Sequence, residues 1–98
     1  MKKMHKMIKH IKDELCGACE YADNYIIYKN TKPEWSRLYA EMSSDELEHA
    51  TSLHKMYDEW LKDVSYVKEE DKEAWEHCGS MLAEKTAEVR LLLSKWGV

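Results

Sequence analysis

The spacing of apolar residues is the feature that most constrains this chain, because they recur every three or four residues along nearly its whole length. Two short stretches interrupt the pattern, residues 30–33 and 63–67. Proline is tolerated in the first turn of a helix and pushes the preceding residue out of helical conformation, so Pro33 marks a helix start. We therefore predict three helices, at about residues 4–30, 33–63 and 68–96, with Gly97 ending the third.

Composition supports an all-α fold with a single domain spanning residues 1–98. Three glycines and one proline are too few for the turns of a sandwich or barrel. A chain of 98 residues buries one core. The net charge of −4 argues against nucleic acid as a partner. No apolar run approaches the roughly 18 residues of a transmembrane helix, so a membrane span is excluded, and no membrane partner is expected.

The expected location is the cytoplasm. The basic start, MKKMHKMIKHIK, is not followed by the apolar run of a signal peptide. Three cysteines are an odd number and do not form a dense disulfide framework, which fits a reducing compartment. The run of lysines before Asp13 is interpreted as a solvated helix end, with contact to a membrane surface or an acidic partner as the alternative.

Polar residues interrupt two of the three apolar stripes. The first stripe reads Met4, Met7, Ile11, Glu14, Ala18, Tyr21 and Tyr25. The second reads Trp35, Leu38, Met42, Glu46, His49, Leu53, Met56 and Trp60. The third, without carboxylate or histidine, reads Trp75, Cys78, Leu82, Thr86, Val89, Leu93 and Trp96. A buried charge is costly unless it is paired or coordinated, so the interruptions need an explanation.

Glu14, Glu46 and His49 interrupt the stripes, and we expect them at one level of an antiparallel hairpin. Glu14 lies 17 to 18 residues before the turn at residues 31–32, and His49 lies as far after it. Glu46 and His49 are three residues apart and share a helix face. Two carboxylates and one imidazole form half of a metal site suited to iron or manganese, with zinc as a competitor. The alternative is a buried Glu–His ion pair that fixes helix register.

The same residues resemble the ferritin-like di-iron proteins, which include bacterioferritin, rubrerythrin and the short encapsulated ferritins. Glu14 and Tyr21 lie in ELCGACEY, and Glu46 and His49 lie in SSDELEHA with Ala50 next. The resemblance covers about residues 11–60. It implies that Glu14, Glu46 and His49 are metal ligands, that iron is the cofactor, and that Tyr21 is a catalytic tyrosine facing the site.

The chain departs from that family after the second helix, because the third helix offers no ligands. Three ligands are too few for two irons. Two hairpins packed about a two-fold axis would supply four Glu and two His, the ligand set of di-iron bundles. We therefore expect a homodimer, or a multiple of it, that completes a four-helix di-iron bundle with two irons per dimer. In this arrangement residues 82–86 form an apolar lid over the site.

The resemblance implies a ferroxidase-type oxidoreductase that oxidises ferrous iron or reacts with dioxygen or peroxide. Residence inside a protein compartment is compatible with it, although the chain ends without a recognisable targeting peptide. A second hypothesis, of a different class, is a non-catalytic helical interaction module whose Glu and His form a register-setting polar layer. Metal analysis of the purified protein separates the two.

Other chemistry-bearing residues have simpler interpretations. Cys16 and Cys19 form a C-x-x-C, interpreted as small packing residues, with a redox pair as the alternative. His54 is expected to pack against the third helix. His5 and His10, with the nearby methionines, resemble a loose soft-metal cluster, although methionine at this spacing is more often part of the core.

Overall fold

Three long helices make up the protein, and the all-α prediction is confirmed. A computed structural model describes residues 1–95. The helices are α1 (Lys2–Tyr28), α2 (Pro33–Leu61) and α3 (Glu69–Lys95), with no strand among the described residues. The predicted starts and ends agree within two residues, while Trp96 and Gly97 lie outside the described residues. None of the helices in the described part of the chain is long and apolar enough to cross a membrane.

The turn between α1 and α2 lies where Pro33 requires it. Lys32 has a non-helical backbone, with φ −138° and ψ 75°, and Pro33 opens α2. The carbonyl of Tyr28 accepts bonds from the amides of Thr31, at 3.2 Å, and Lys32, at 2.8 Å, so the last turn of α1 is closed by the loop. The two helices therefore form the expected antiparallel hairpin.

The third helix returns along the hairpin, antiparallel to α2 and parallel to α1. The Trp75 indole donates a hydrogen bond to Asp58 at 2.9 Å and stacks on the His54 ring at 4.4 Å, as expected for His54. At the same end, Asp71 lies 3.7 Å from His5 near the start of α1. The molecule is a rod of 54 × 17 × 16 Å with α3 along one flank of the hairpin.

Small residues allow α1 and α2 to approach closely. The hydroxyl of Ser36 donates to the carbonyl of Tyr25, and that of Ser43 donates to the carbonyl of Ala18, both at 2.7 Å and both buried. The two serines are seven residues apart, and so are their acceptors. These paired bonds fix the register of α2 against α1.

The predicted core face of α2 is wrong. Its bulky stripe lies on the outside, with exposed fractions of 51% for Trp35, 56% for Leu38, 57% for Met56 and 41% for Trp60. The buried residues follow one or two positions later, at Ser36, Ala40, Ser43, Leu47, Ala50 and Tyr57. The physical reason is the close approach to α1, which small side chains permit and large ones prevent.

We term this row on α2 the outer stripe, formed by the exposed Trp35, Leu38, Met56 and Trp60 and the half-buried Met42 and Leu53, of which Leu53 also packs against the core. The other two stripes agree better with the prediction. In α1 the buried residues are Met4, Ile11, Leu15, Ala18, Ala22 and Tyr25. In α3 they include Trp75, Cys78, Leu82, Val89 and Leu93. The hairpin thus has one flank covered by α3 and one flank that carries the outer stripe.

Candidate metal site

The structure brings Glu14, Glu46 and His49 together, as the sequence predicts. One ligand atom from each lies within 4.8 Å of the others. His49 Nδ1 is 3.5 Å from Glu14 Oε2 and 3.4 Å from Glu46 Oε1. Two helices therefore direct two carboxylates and one imidazole to a single point. We refer to these three residues as the Glu–Glu–His trio.

The hydrogen bonds that fix the register of α1 and α2 explain why these three residues lie together. The Ser43 hydroxyl is bonded to the Ala18 carbonyl, about one turn along each helix from the trio. Gly17 lies on α1 between Glu14 and Ala18, and the Glu46 side chain passes over it. A Cβ at Gly17 would lie 2.9 Å from Glu46 Oε2, closer than such contacts normally are. Gly17 thus makes room for the Glu46 side chain.

Sequence reasoning missed Gly17. The available signal was a glycine in the middle of a long helix, three residues after Glu14 and four before Tyr21, hence on the side of α1 that carries both. Glycine costs helix stability at such a position, about 1 kcal/mol relative to alanine. A close approach of another group is a common reason for retaining it.

The trio does not lie in a buried layer, which corrects the expectation of a core site. The side chains of Glu14 and Glu46 are 19% and 25% exposed, and that of His49 is 59% exposed. Beside them lies an open surface hollow of about 290 Å³. It is lined by His10, Glu14, His49, Ser52, Leu53 and Met56. The site is therefore half-buried on the flank of the outer stripe.

The expected lid from α3 is also wrong. The hollow is lined by residues of α1 and α2. Leu82 is buried, and Gly79 of the same helix lies against His54 on the other side of α2. Since the bulky stripe of α2 faces outward, α3 covers the flank opposite the trio.

The two carboxyl groups of the trio shift each other's pKa in opposite directions. A hydrogen bond with Glu46 lowers the pKa of Glu14, an effect that the neighbouring histidines reinforce. The same hydrogen bond, together with partial burial, raises the pKa of Glu46. Glu46 is therefore the carboxyl group of the pair that more readily holds a proton. A bound cation would take the place of that proton, since metal ligands must be deprotonated.

Tyr21 begins a row of aromatic rings that leads toward the hairpin turn. Its ring centroid is 6.1 Å from that of Tyr39, which stacks on Tyr28 at 5.9 Å. Tyr28 meets Trp35 edge-on at 5.4 Å. Tyr21 is half-buried and lies two helical turns after Glu14. The row links Tyr21 to the hairpin end, and the catalytic role of Tyr21 stays a prediction.

The cysteines of the C-x-x-C lie in different environments. Cys16 is exposed, with its Sγ 3.8 Å from Glu20 Oε1, and Cys19 is partly buried near Lys85 of α3. Burial raises the pKa of the Cys19 thiol. Both thiols are free. The packing interpretation therefore suits Cys19 but does not describe Cys16.

The resemblance to ferritin-like di-iron proteins stays a prediction after comparison with known proteins. No protein-family model, no curated protein and no solved structure matches this chain. A function has to be argued from the residues and their geometry.

Proposed function

We propose that this protein is a ferritin-like metal-binding protein, in which the Glu–Glu–His trios of two chains hold two ferrous ions for oxidation. The observation that carries the proposal is the trio itself. Its three ligand atoms lie within 4.8 Å of one another at an open surface. The proposed activity is that of a ferroxidase-type oxidoreductase, with iron as substrate.

The chemistry of the donors fits iron. Carboxylate oxygens and imidazole nitrogen suit Fe²⁺, Mn²⁺ and Zn²⁺, and the absence of thiolate from the trio disfavours soft metals. Both carboxyl groups must be deprotonated to bind a cation, and the cation then compensates their two negative charges. Three protein donors leave further coordination positions open to water, an oxidant or a second chain.

A second copy of the chain is the occupant that the outer stripe fits best. Glu46 and His49 lie in the middle of that stripe, between Met42 and Leu53. A two-fold axis through this point would pack apolar residues against apolar residues and place a second trio opposite the first. The result is a four-helix bundle with four Glu and two His at its centre. Each α3 would lie outside that bundle.

The proposed reaction needs two ferrous ions at once. Each Fe²⁺ gives up one electron and becomes Fe³⁺. One dioxygen takes both electrons and, with two protons, leaves as hydrogen peroxide. The protein supplies the carboxylates that bind the ions and compensate their charge. Tyr21 is proposed as the catalytic tyrosine that faces this site.

Metal analysis tests the proposal directly. Protein loaded anaerobically with Fe²⁺ should contain about one iron per chain, the content of a shared two-iron site. Glu46→Ala should lose this iron and remain helical. Glu48→Ala is the matched control, because Glu48 is an exposed neighbour on the same helix. If Glu46→Ala loads iron as well as the parent, the ligand assignment is wrong.

Association should depend on the metal. Four carboxylates facing each other across an axis repel, and two ferrous ions would cancel that repulsion. Analytical ultracentrifugation should show a shift toward dimer, or a multiple of it, when Fe²⁺ is added anaerobically. Met56→Lys in the outer stripe should abolish the shift. Leu91→Lys on α3, where Leu91 is 69% exposed, should leave it intact.

The second candidate function is a helical interaction module in which the trio is a structural polar layer. The outer stripe favours it, because the stripe is an interaction surface whether or not metal binds. A folded protein that associates normally and binds no metal would support this candidate and refute the first. A strict monomer that binds two irons per chain would refute the shared site.

A further inference from the structure

We propose that His10 is a fourth donor for the metal held by the Glu–Glu–His trio, so that a single chain offers two nitrogens and two carboxylates to its first ion. This inference rests on the proposed metal site. It adds a ligand that sequence reasoning had placed with a loose group of methionines and histidines near the start of the chain.

The geometry around Glu14 carries the proposal. Its carboxylate lies between two imidazoles, with His10 Nε2 at 3.4 Å from Oε1 and His49 Nδ1 at 3.5 Å from Oε2. His49 in turn lies 3.4 Å from Glu46 Oε1. The four side chains form one continuous chain of donor atoms. A cation seated on the Glu14 carboxylate would have an imidazole on each side.

The His–Glu separations are compatible with donors that share one metal ion. Donors about 2.1 Å from one ion lie roughly 3.0 to 3.4 Å from each other, depending on whether the arrangement is octahedral or tetrahedral. The three His–Glu separations are 3.4 to 3.5 Å. His10 is close to Glu14 but is not among the ligand atoms that all lie within 4.8 Å of one another, so its ring must turn toward the ion to complete the set.

The arrangement of the helices makes His10 available. His10 precedes Glu14 by four residues, and Glu46 precedes His49 by three, so each helix presents one Glu and one His on one face. His10 is 55% exposed and lines the same hollow as Glu14 and His49. Its ring can therefore turn toward an ion without disturbing the core.

A second imidazole changes the metal preference of the site. Nitrogen donors favour Fe²⁺, Co²⁺ and Zn²⁺ over Mn²⁺, which prefers oxygen. Four donors from one chain also allow the first ion to bind before a partner arrives. That ion compensates both carboxylates, which removes the repulsion between two facing half-sites.

Zinc binding to His10→Ala tests the inference without requiring turnover. Its Zn²⁺ affinity, measured by calorimetric titration under conditions where the parent binds, should fall at least about tenfold. His77→Ala is the control, because His77 is exposed on α3 and should not change the affinity. In the parent, saturating Zn²⁺ should shift the imidazole ¹⁵N resonance of His10 Nε2 together with that of His49 Nδ1.

The outcomes separate this inference from the proposed function. If Zn²⁺ shifts His49 alone and His10→Ala keeps the parental affinity, His10 is not a ligand and the trio stands. If the parent binds neither Zn²⁺ nor Fe²⁺, the metal site itself is refuted. If His77→Ala weakens binding as much as His10→Ala, the effect is not specific to the site and the inference fails.

Discussion

Replacement of Gly17 by alanine should raise the stability of the metal-free protein and lower its metal affinity. A Cβ at position 17 would lie 2.9 Å from Glu46 Oε2, whereas ordinary contacts begin near 3.4 Å. The Glu46 carboxylate must therefore move by about 0.5 Å, the difference between these two distances. A glutamate can make that movement by rotating its side chain, so the folded protein is not strained. The ligand, however, leaves its place.

The two effects have different sizes and opposite signs. Alanine is more favourable than glycine inside a helix by about 1 kcal/mol. For a domain of this size, that gain raises the melting temperature by about 4–8 °C. Displacement of the Glu46 carboxylate should weaken Zn²⁺ or Fe²⁺ binding about tenfold, a loss of about 1.4 kcal/mol. Metal should therefore stabilise the Gly17→Ala variant less than it stabilises the parent.

Thermal unfolding with and without metal, together with a direct binding titration, measures both effects. Gly79→Ala is the matched control, since it is also a helical glycine, and its Cβ would lie 3.2 Å from His54 Nε2, away from the trio. This control should keep the parental metal affinity. A Gly17→Ala protein that is more stable and binds metal as tightly as the parent would refute the argument that Glu46 must lie over Gly17 to act as a ligand.

Three further predictions follow from the same contacts. The pKa of Glu46 is raised in the folded state, so the metal-free protein should lose stability as the pH rises from the usual pKa of glutamate through the raised pKa. Urea unfolding at a series of pH values measures this loss. Glu46→Gln should remove it. Ser43→Ala removes the buried bond to the Ala18 carbonyl and should cost about 1 kcal/mol in the same assay, and an unchanged midpoint would contradict the role of this bond. Tyr21→Phe should slow ferrous oxidation, followed by absorbance, while iron content stays parental; an unchanged rate would remove Tyr21 from the reaction.

The number of helices, their ends and the level of the trio could be predicted from the sequence. Helical periodicity is a local property, and Pro33 fixes the turn, so the distances of Glu14 and His49 from that turn set their heights. These quantities depend on residues close together in the chain. They do not require knowledge of which face of a helix is buried.

The buried face of α2 could not be predicted in the same way. Hydrophobicity favours the row with Trp35, Leu38 and Met56, but the row with Ser36, Ala40 and Ser43 is the one that packs. Which face of α2 is buried depends on how closely α1 approaches. That distance depends on the small residues Ala18 and Ala22 of α1. The role of Gly17 was hidden for a related reason, because it depends on the path of a side chain from another helix.

The hydrogen bonds of Ser36 and Ser43 permit only one alignment of α1 and α2. A shift by one helical turn moves one helix about 5.4 Å along the other and would break both bonds. The hydroxyls of Ser36 and Ser43 would then have to find new acceptors in a dry interface. The backbone of the hairpin therefore holds the heights of Glu14, Glu46 and His49 fixed relative to one another. Any adjustment to ions of different radius must come from side-chain torsions, and the tolerance of the site is set by the rotamers of glutamate and histidine.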